Sequence, residues 1–126
     1  MRGKYADAYV PKGHPIHAYR QSILAAFLEL NATYRRPITG AVSVGITFWF
    51  PRLKCQTFKR KEMNVLAKIS KPDVDNLAKG VLDALEGHAF AHDAAVVELR
   101  VSKWHVGNTR ARTHIVLSEC EDIPCD

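Results

Sequence analysis

The sequence has no apolar run approaching the roughly 18 residues a membrane-crossing helix requires, and it does not open on a charged start followed by an apolar stretch and a cleavage site. Both absences lead to the expectation of a cytoplasmic chain without membrane contact. Cysteine is scarce and odd in number. Cys55, Cys120 and Cys125 cannot all pair, so reduced thiols are expected, and three scattered cysteines do not supply the four closely paired ligands of a structural zinc site. Internal repeats and low-complexity tracts are missing as well, which removes solenoids and repeat arrays from consideration. The other shortage is of acids in one part of the chain. Residues 1–71 hold only Asp7, Glu29 and Glu62 against thirteen Lys and Arg, a balance of +10. Residues 72–126 hold five Lys and Arg against ten acids, a balance of −5, so the overall +5 conceals two opposed halves.

With 126 residues, 47% of them hydrophobic and 25% charged, the chain has the material for one compact domain spanning residues 1–126. A basic half suits a phosphate backbone, because each phosphate neutralised releases condensed counterions. An acidic half that must approach the same polyanion needs a compensating cation, and a divalent metal would supply one. Charge alone favours the plainer reading, that basic loops and an acidic tail are ordinary solubility features.

Alternation is clearest over residues 42–50, where Val42, Val44, Ile46, Phe48 and Phe50 interleave with Ser43, Gly45, Thr47 and Trp49, the period of a half-buried strand. Before it, residues 18–31 carry Ile23, Leu24, Phe27 and Leu28 on one helical stripe, with Asn31 placed to end the helix. A shorter strand is expected over residues 5–10, ahead of Pro11 and Gly13. From Val74 onward, Val74, Leu77, Ala78, Val81, Leu82 and Leu85 follow the spacing of an amphipathic helix that Gly87 can close. Val97, Leu99 and Val101 then alternate with polar residues, as do Thr113, Ile115 and Leu117 after a turn near Gly107 and Asn108; together they read as an antiparallel hairpin. The resulting order, β-α-β-α-β-β, implies an α+β fold with a mixed β-sheet and helices packed on it.

Residues 51–70 carry Arg52, Lys54, Lys59, Arg60, Lys61 and Lys68 against Glu62 alone, without a clean period. They read as a flexible basic loop, either a solvated surface or an element that contacts nucleic acid. Residues 119–126, rich in acids, read as a disordered tail.

The chemistry concentrates in KPDVDNLAKGVLDALEG, residues 71–87. Side chains two apart do not share a face inside a helix, so Asp73 and Asp75 could not jointly hold a metal if both were interior. Asp73, however, follows Pro72 at the N-cap position, where the backbone is still extended and its carboxylate can turn toward Asp75 in the first helical turn. Asn76 and Lys79 occupy the same polar edge. Two readings stand on spacing alone. Acids at a helix start cap orphan amides and complement the helix dipole, and Lys79 can pair with Asp75 and Asp83 at helical spacing; alternatively, carboxylates, amide and ammonium line an active site.

This segment, with FAHDAAVVELRVSKW after it, resembles the RusA family of Holliday-junction resolvases, small phage and bacterial endonucleases in which Lys-Pro-Asp-x-Asp-Asn opens a helix, a Lys follows and a loop Asp precedes the next strand. The core of the resemblance covers residues 71–104, and the element order and basic loop agree over most of the rest. It implies that Asp73, Asp75 and Asp93 bind Mg2+, with Mn2+ as a substitute, that Lys79 is catalytic, and that Asn76 supports them. It also implies a RusA-like fold, a homodimer that nicks two opposed strands of a branched DNA junction during recombination and repair, and no organic cofactor. Lys12, Arg20, Arg52, Lys54, Lys59, Arg60, Lys61, Lys68 and Lys71 are the DNA contacts expected from the basic half, with His14 a further one. The chain departs from the family pattern in the loop, where two adjacent acids are usual and His92 precedes Asp93. His92 could orient a water, act as a weak base or simply lie at the surface. Ala94 and Ala95 stand where the family has a polar pair. Two other functions fit the same residues: a branched-DNA-binding module without catalysis, and a flap or single-strand nuclease with the same metal site.

Overall fold

A computed structural model describes residues 3–8, 16–30, 36–52 and 64–121. The elements are β1 (Gly3–Ala8), α1 (Ile16–Leu30), β2 (Val42–Phe50), β3 (Leu66–Ala67), α2 (Val74–Leu85), a 3-10 turn over Asp93–Ala95, β4 (Val96–His105) and β5 (Arg112–Glu119). The fold is α+β with a mixed sheet, as the alternation and helical periods imply.

The sheet runs β1-β5-β2-β4-β3. β2 sits at its centre, parallel to β4 and antiparallel to β5, while β1 pairs antiparallel with β5 and β3 antiparallel with β4. The hairpin expected from the last two strands is therefore corrected: β4 and β5 run in opposite directions but lie on either side of β2. Their connection steps over one strand, about 10 Å at the usual strand spacing, and is anchored to the end of β2 by the Val106 amide, which donates to Phe50 O at 2.9 Å.

Both crossovers, β1-α1-β2 and β2-α2-β4, step in the same direction across the sheet. Crossovers of one hand that do so leave their helices on the same face. The core shows this, since Ile23 and Phe27 of α1 and Ala78, Val81 and Leu85 of α2 cluster with Val42, Val44 and Ile46 of β2 and Ile115 and Leu117 of β5. Val42, Val81, Leu85 and Phe90 are fully buried. On β2 the apolar set is buried and the alternate set half-buried, so one face carries the helices and the other remains open among the described residues.

Several boundaries move. β1 begins two residues earlier than expected and ends at Ala8. α1 spans Ile16–Leu30, with Leu28 of the expected stripe 49% exposed, and Asn31 lies outside the described residues. In β4 the expected alternation is not matched by burial at its start: Val97 falls at a register shift, since Val96 faces Val42 while Glu98 already faces Ser43, and Val97 is 61% and Leu99 43% exposed, leaving Val101 as the member of the set packed against the core. The 51–70 segment is not wholly a loop, because Leu66–Ala67 pairs with Trp104 and His105 of β4; residues 53–63 lie outside the described residues. At the other end, Glu119 closes β5 and the Cys120 amide donates to Ala41 O at 2.9 Å, so the expected tail is anchored at its first residues, and 122–126 lie outside the described residues. Cys120 is a free thiol; Cys55 and Cys125 fall outside the described residues.

Candidate active site

The chain enters α2 through the turn Ser70–Pro72. Proline disfavours helical backbone at the residue before it, and Asp73 is still extended, at φ −73 and ψ 148. Its carbonyl accepts the Leu77 amide at 3.1 Å, the first hydrogen bond of the helix. Its side chain makes no cap hydrogen bond. Asp73, Asp75 and Asn76 are all exposed at this end of the helix. The backbone conformation expected of an N-cap is present, but the carboxylate is not used as one.

The other acid arrives by a loop that doubles back on the helix. α2 ends at Leu85, and Gly87, at φ 82, adopts a conformation L side chains rarely take. Leu85 O accepts the amides of His88 and Ala89 at 3.0 and 2.8 Å, and the Gly87 amide donates to Phe90 O at 2.7 Å. Phe90 is buried as a plug, and Ile38 clamps both sides of it, donating to Ala89 O at 2.9 Å and accepting from the Ala91 amide at 3.2 Å. His92, exposed, then begins the 3-10 turn, and the Asp93 amide donates to Glu86 Oε2 at 2.8 Å.

Asp93 is half-buried among charges. Burial holds its carboxyl above the usual aspartate range; the neighbouring charges of Glu86 and Asp83 and a side-chain hydrogen bond with Glu86 push the same way, and Lys79 pulls against them. Its Oδ1 is buried without a hydrogen-bond partner. An orphaned carboxylate oxygen in an acidic setting fits a cation, and the donor set of Asp73, Asp75 and Asp93 is all carboxylate, which suits a hard divalent ion. Among the described residues, no three Asp, Glu, His or Cys side chains already converge as metal ligands. Thus Asp93, Lys79, Asp83 and Glu86 form one neighbourhood, and Asp73 and Asp75 lie at the opposite end of the same helix's polar edge.

The family profile described as "Endodeoxyribonuclease RusA" matches residues 2–118. The chain belongs to this family. A relative from Bacillus subtilis (strain 168), carrying the name "Uncharacterized protein YqaN", is 36% identical over 97 residues, covering 71% of this chain and 68% of that protein. The RusA family is one of endodeoxyribonucleases, so membership implies a nuclease, and its resolvases are generally dependent on divalent metal. No helix among the described residues is long and apolar enough to cross a membrane.

Within this RusA-family chain the expected basic contacts fall into different settings. Arg20 NH2 lies 3.5 Å from Asp83 Oδ2, bridging α1 and α2. Arg52 donates through Nε to Val106 O at 2.8 Å and also to Asn64 O, which ties the two ends of the 53–63 segment to the β4–β5 connection. Lys68 Nζ sits 4.8 Å from the Phe50 ring centroid and donates to Ser70 Oγ at 2.9 Å; burial, then the charge of Lys103, lower its pKa below the usual lysine value. Lys71 is exposed in the turn before Asp73. Lys12, His14, Lys54, Lys59, Arg60 and Lys61 lie outside the described residues.

Two participants escaped the sequence reading of the site, and a third, Asp83, entered it only as an ion-pair partner of Lys79. Glu86 lies three residues beyond Asp83 on the same helix edge, which i, i+3 counting could have flagged. Lys103 shares the parity of Leu99 and Val101 on β4, and a lysine in an apolar register is the signal of an anchored ammonium.

Proposed function

We propose that the chain is a Mg2+-dependent, structure-selective endodeoxyribonuclease that resolves four-way DNA junctions by paired symmetric nicks, acting as a homodimer in DNA recombination and repair. The supporting observation is the return of Asp93, with its orphaned oxygen, to the Lys79 side of the helix that Asp73 and Asp75 open. Asp73 and Asp75 at the start of α2, and Asp93 beside Lys79, are the carboxylates that would bind metal, with Mn2+ able to replace Mg2+. When bound, the ion polarises the scissile phosphate and makes water a competent nucleophile near neutral pH.

The remaining work belongs to the chain. Lys79, whose charge offsets that of Asp93 in the free protein, offers the same charge to a phosphate whose negative charge grows in the transition state. Asn76, exposed in the first turn, supplies an amide that can bond a phosphate oxygen or a water. His92 is exposed immediately before Asp93, within reach of solvent rather than packed as a core histidine. Lys68 and Lys71, just ahead of the acids, neutralise neighbouring phosphates, together with Lys12, Arg20, Arg52, Lys54, Lys59, Arg60 and Lys61. A twofold assembly would present two such sites to opposed strands.

A branched-DNA-binding module without catalysis is the competing reading, favoured by the lack of a converged three-ligand cluster among the described residues. One experiment separates them: wild type and Asp75→Asn are incubated with four-way junction, flap and single-stranded DNA in Mg2+, Mn2+ or EDTA. The wild type is expected to cut the junction at two opposed positions, leaving 5′-phosphates, and only with metal. Asp75→Asn should bind the junction as tightly yet cleave about a thousandfold more slowly, the scale of losing a main electrostatic contributor. Full cleavage by Asp75→Asn overturns the assignment of the site. Binding without cleavage by the wild type in either metal establishes the binding module, and preference for the flap or single strand changes the substrate.

A further inference from the structure

An aspartate at a helix N-cap ordinarily turns its carboxylate back onto the amides of the first turn, a bond whose loss costs about 1 kcal/mol. Asp73 has the backbone conformation for this and does not do it. Something else must hold the start of α2, and the structure supplies it from the sheet. Lys103 stands on β4 beside Phe48 of β2, half-buried. Its Nζ donates to Ser70 O and to Pro72 O, each at 2.7 Å. These two carbonyls bracket the turn that delivers Asp73. A second ammonium reaches the same turn, since Lys68 Nζ donates to Ser70 Oγ at 2.9 Å.

We infer that Lys103 is a positioning residue for the acidic edge: by tying the Ser70–Pro72 turn to β4 it takes over the anchoring that a capping carboxylate would provide, and leaves Asp73 available as a ligand. The inference rests on the proposed metal role of Asp73 and adds to it a residue with a distinct task. Charge-assisted bonds to two carbonyls are short and directional, and β4 is the parallel neighbour of the central strand, so the tether ends on a strand paired on both sides. The arrangement carries an electrostatic cost, because Lys103 lies close enough to Lys68 to depress its pKa. A turn needing only mechanical support could be held by neutral donors.

The test compares Lys103→Met, which keeps the aliphatic stem and removes the donors, with Lys103→Arg, which restores donors and charge. Three quantities are read on the full chain: affinity for Mn2+ alone without DNA, affinity for a four-way junction in Ca2+, and the single-turnover rate at saturating junction. Residues that orient metal ligands change metal affinity or activity by roughly 10- to 100-fold when removed. Lys103→Met should therefore weaken Mn2+ binding and slow cleavage by about tenfold, with junction affinity unchanged. Lys103→Arg should recover most of both. Unchanged Mn2+ affinity in Lys103→Met overturns the inference, and so does a loss confined to junction affinity, which would make Lys103 a DNA contact. If Lys103→Met does not fold, Lys103→Gln, with one amide donor group left, is read by the same three measurements and the same criteria. A wild type that binds Mn2+ but cuts no junction defeats the functional reading, while the Mn2+ comparison still decides the role of Lys103.

Discussion

Glu86 shows how a single carboxylate can serve the site without being one of its expected ligands. It is the first residue after α2, and its Oε2 accepts the Asp93 amide at 2.8 Å. That bond closes a seven-residue excursion and fixes where the Asp93 side chain begins. The same carboxylate also raises the pKa of Asp93 through its charge, a smaller influence than burial. Geometry and charge can be separated by substitution. Glu86→Gln keeps an acceptor oxygen and removes the charge; Glu86→Ala removes both. If the acceptor matters most, Glu86→Ala should lower the cleavage rate about tenfold, as loss of an orienting partner does, and Glu86→Gln should stay close to wild type. Single-turnover cleavage of a junction measures this, and a fully active Glu86→Ala would remove Glu86 from the site.

At the scale of elements, α2 carries one end of the site at each of its own ends, so its packing decides both. Leu85 is fully buried, and its carbonyl holds the two amides that turn the loop toward Asp93. Leu85→Ala should cost roughly 2–5 kcal/mol, whereas Val74→Ala, at a position 39% exposed, should stay within about 0.5 kcal/mol. Urea unfolding of the two variants reads the difference, and equal losses would mean that α2 buries a different face. Apart from Val74, which is exposed, this face was legible in the sequence, as was the alternation of β2 from Val42 to Phe48, because periods of 3.6 and 2 record which side meets a core. Partner choice was not. The alternations at 97–101 and 113–117 mark two strands but carry nothing about β2 lying between them, which depends on pairings distant in sequence. β3 was missed for a different reason: two residues cannot display a period. Of the expected set on β4 only Val101 packs against the core: Val97 lies at a bulge, which shifts parity without changing residue type, and Leu99 is exposed as well. Asp93 could be named by resemblance, yet its companions Glu86 and Asp83 depend on how the 86–93 loop folds back, which no local rule supplies.

For the molecule as a whole, the division into a basic and an acidic half does not survive folding as a division in space. β5, from the acidic half, is inserted between β1 and β2 of the basic half, so the charges interleave across the sheet. Along the chain the basic residues concentrate in the run from Arg52 to Lys71, between the end of β2 and Asp73. Its base is closed by Arg52 on Asn64 O and Val106 O; phosphate neutralisation by Lys54, Lys59, Arg60 and Lys61, which lie outside the described residues, is an expectation from the sequence. Such neutralisation has a signature that does not depend on sequence readout: on duplex DNA the slope of log affinity against log salt is about 0.9 shallower for each phosphate that goes without its cation. Replacing these four residues by Ala in the Asp75→Asn background, where the junction stays intact, should therefore reduce the slope by roughly 2 to 4 and weaken binding most at low salt. Metal affinity without DNA should be unaffected, because the substitutions leave the Ser70–Pro72 tether in place. An unchanged slope would assign the run to solvent and shift the phosphate binding to Lys68, Lys71 and the α1 side, where Arg20 would have to exchange Asp83 for the backbone of the DNA.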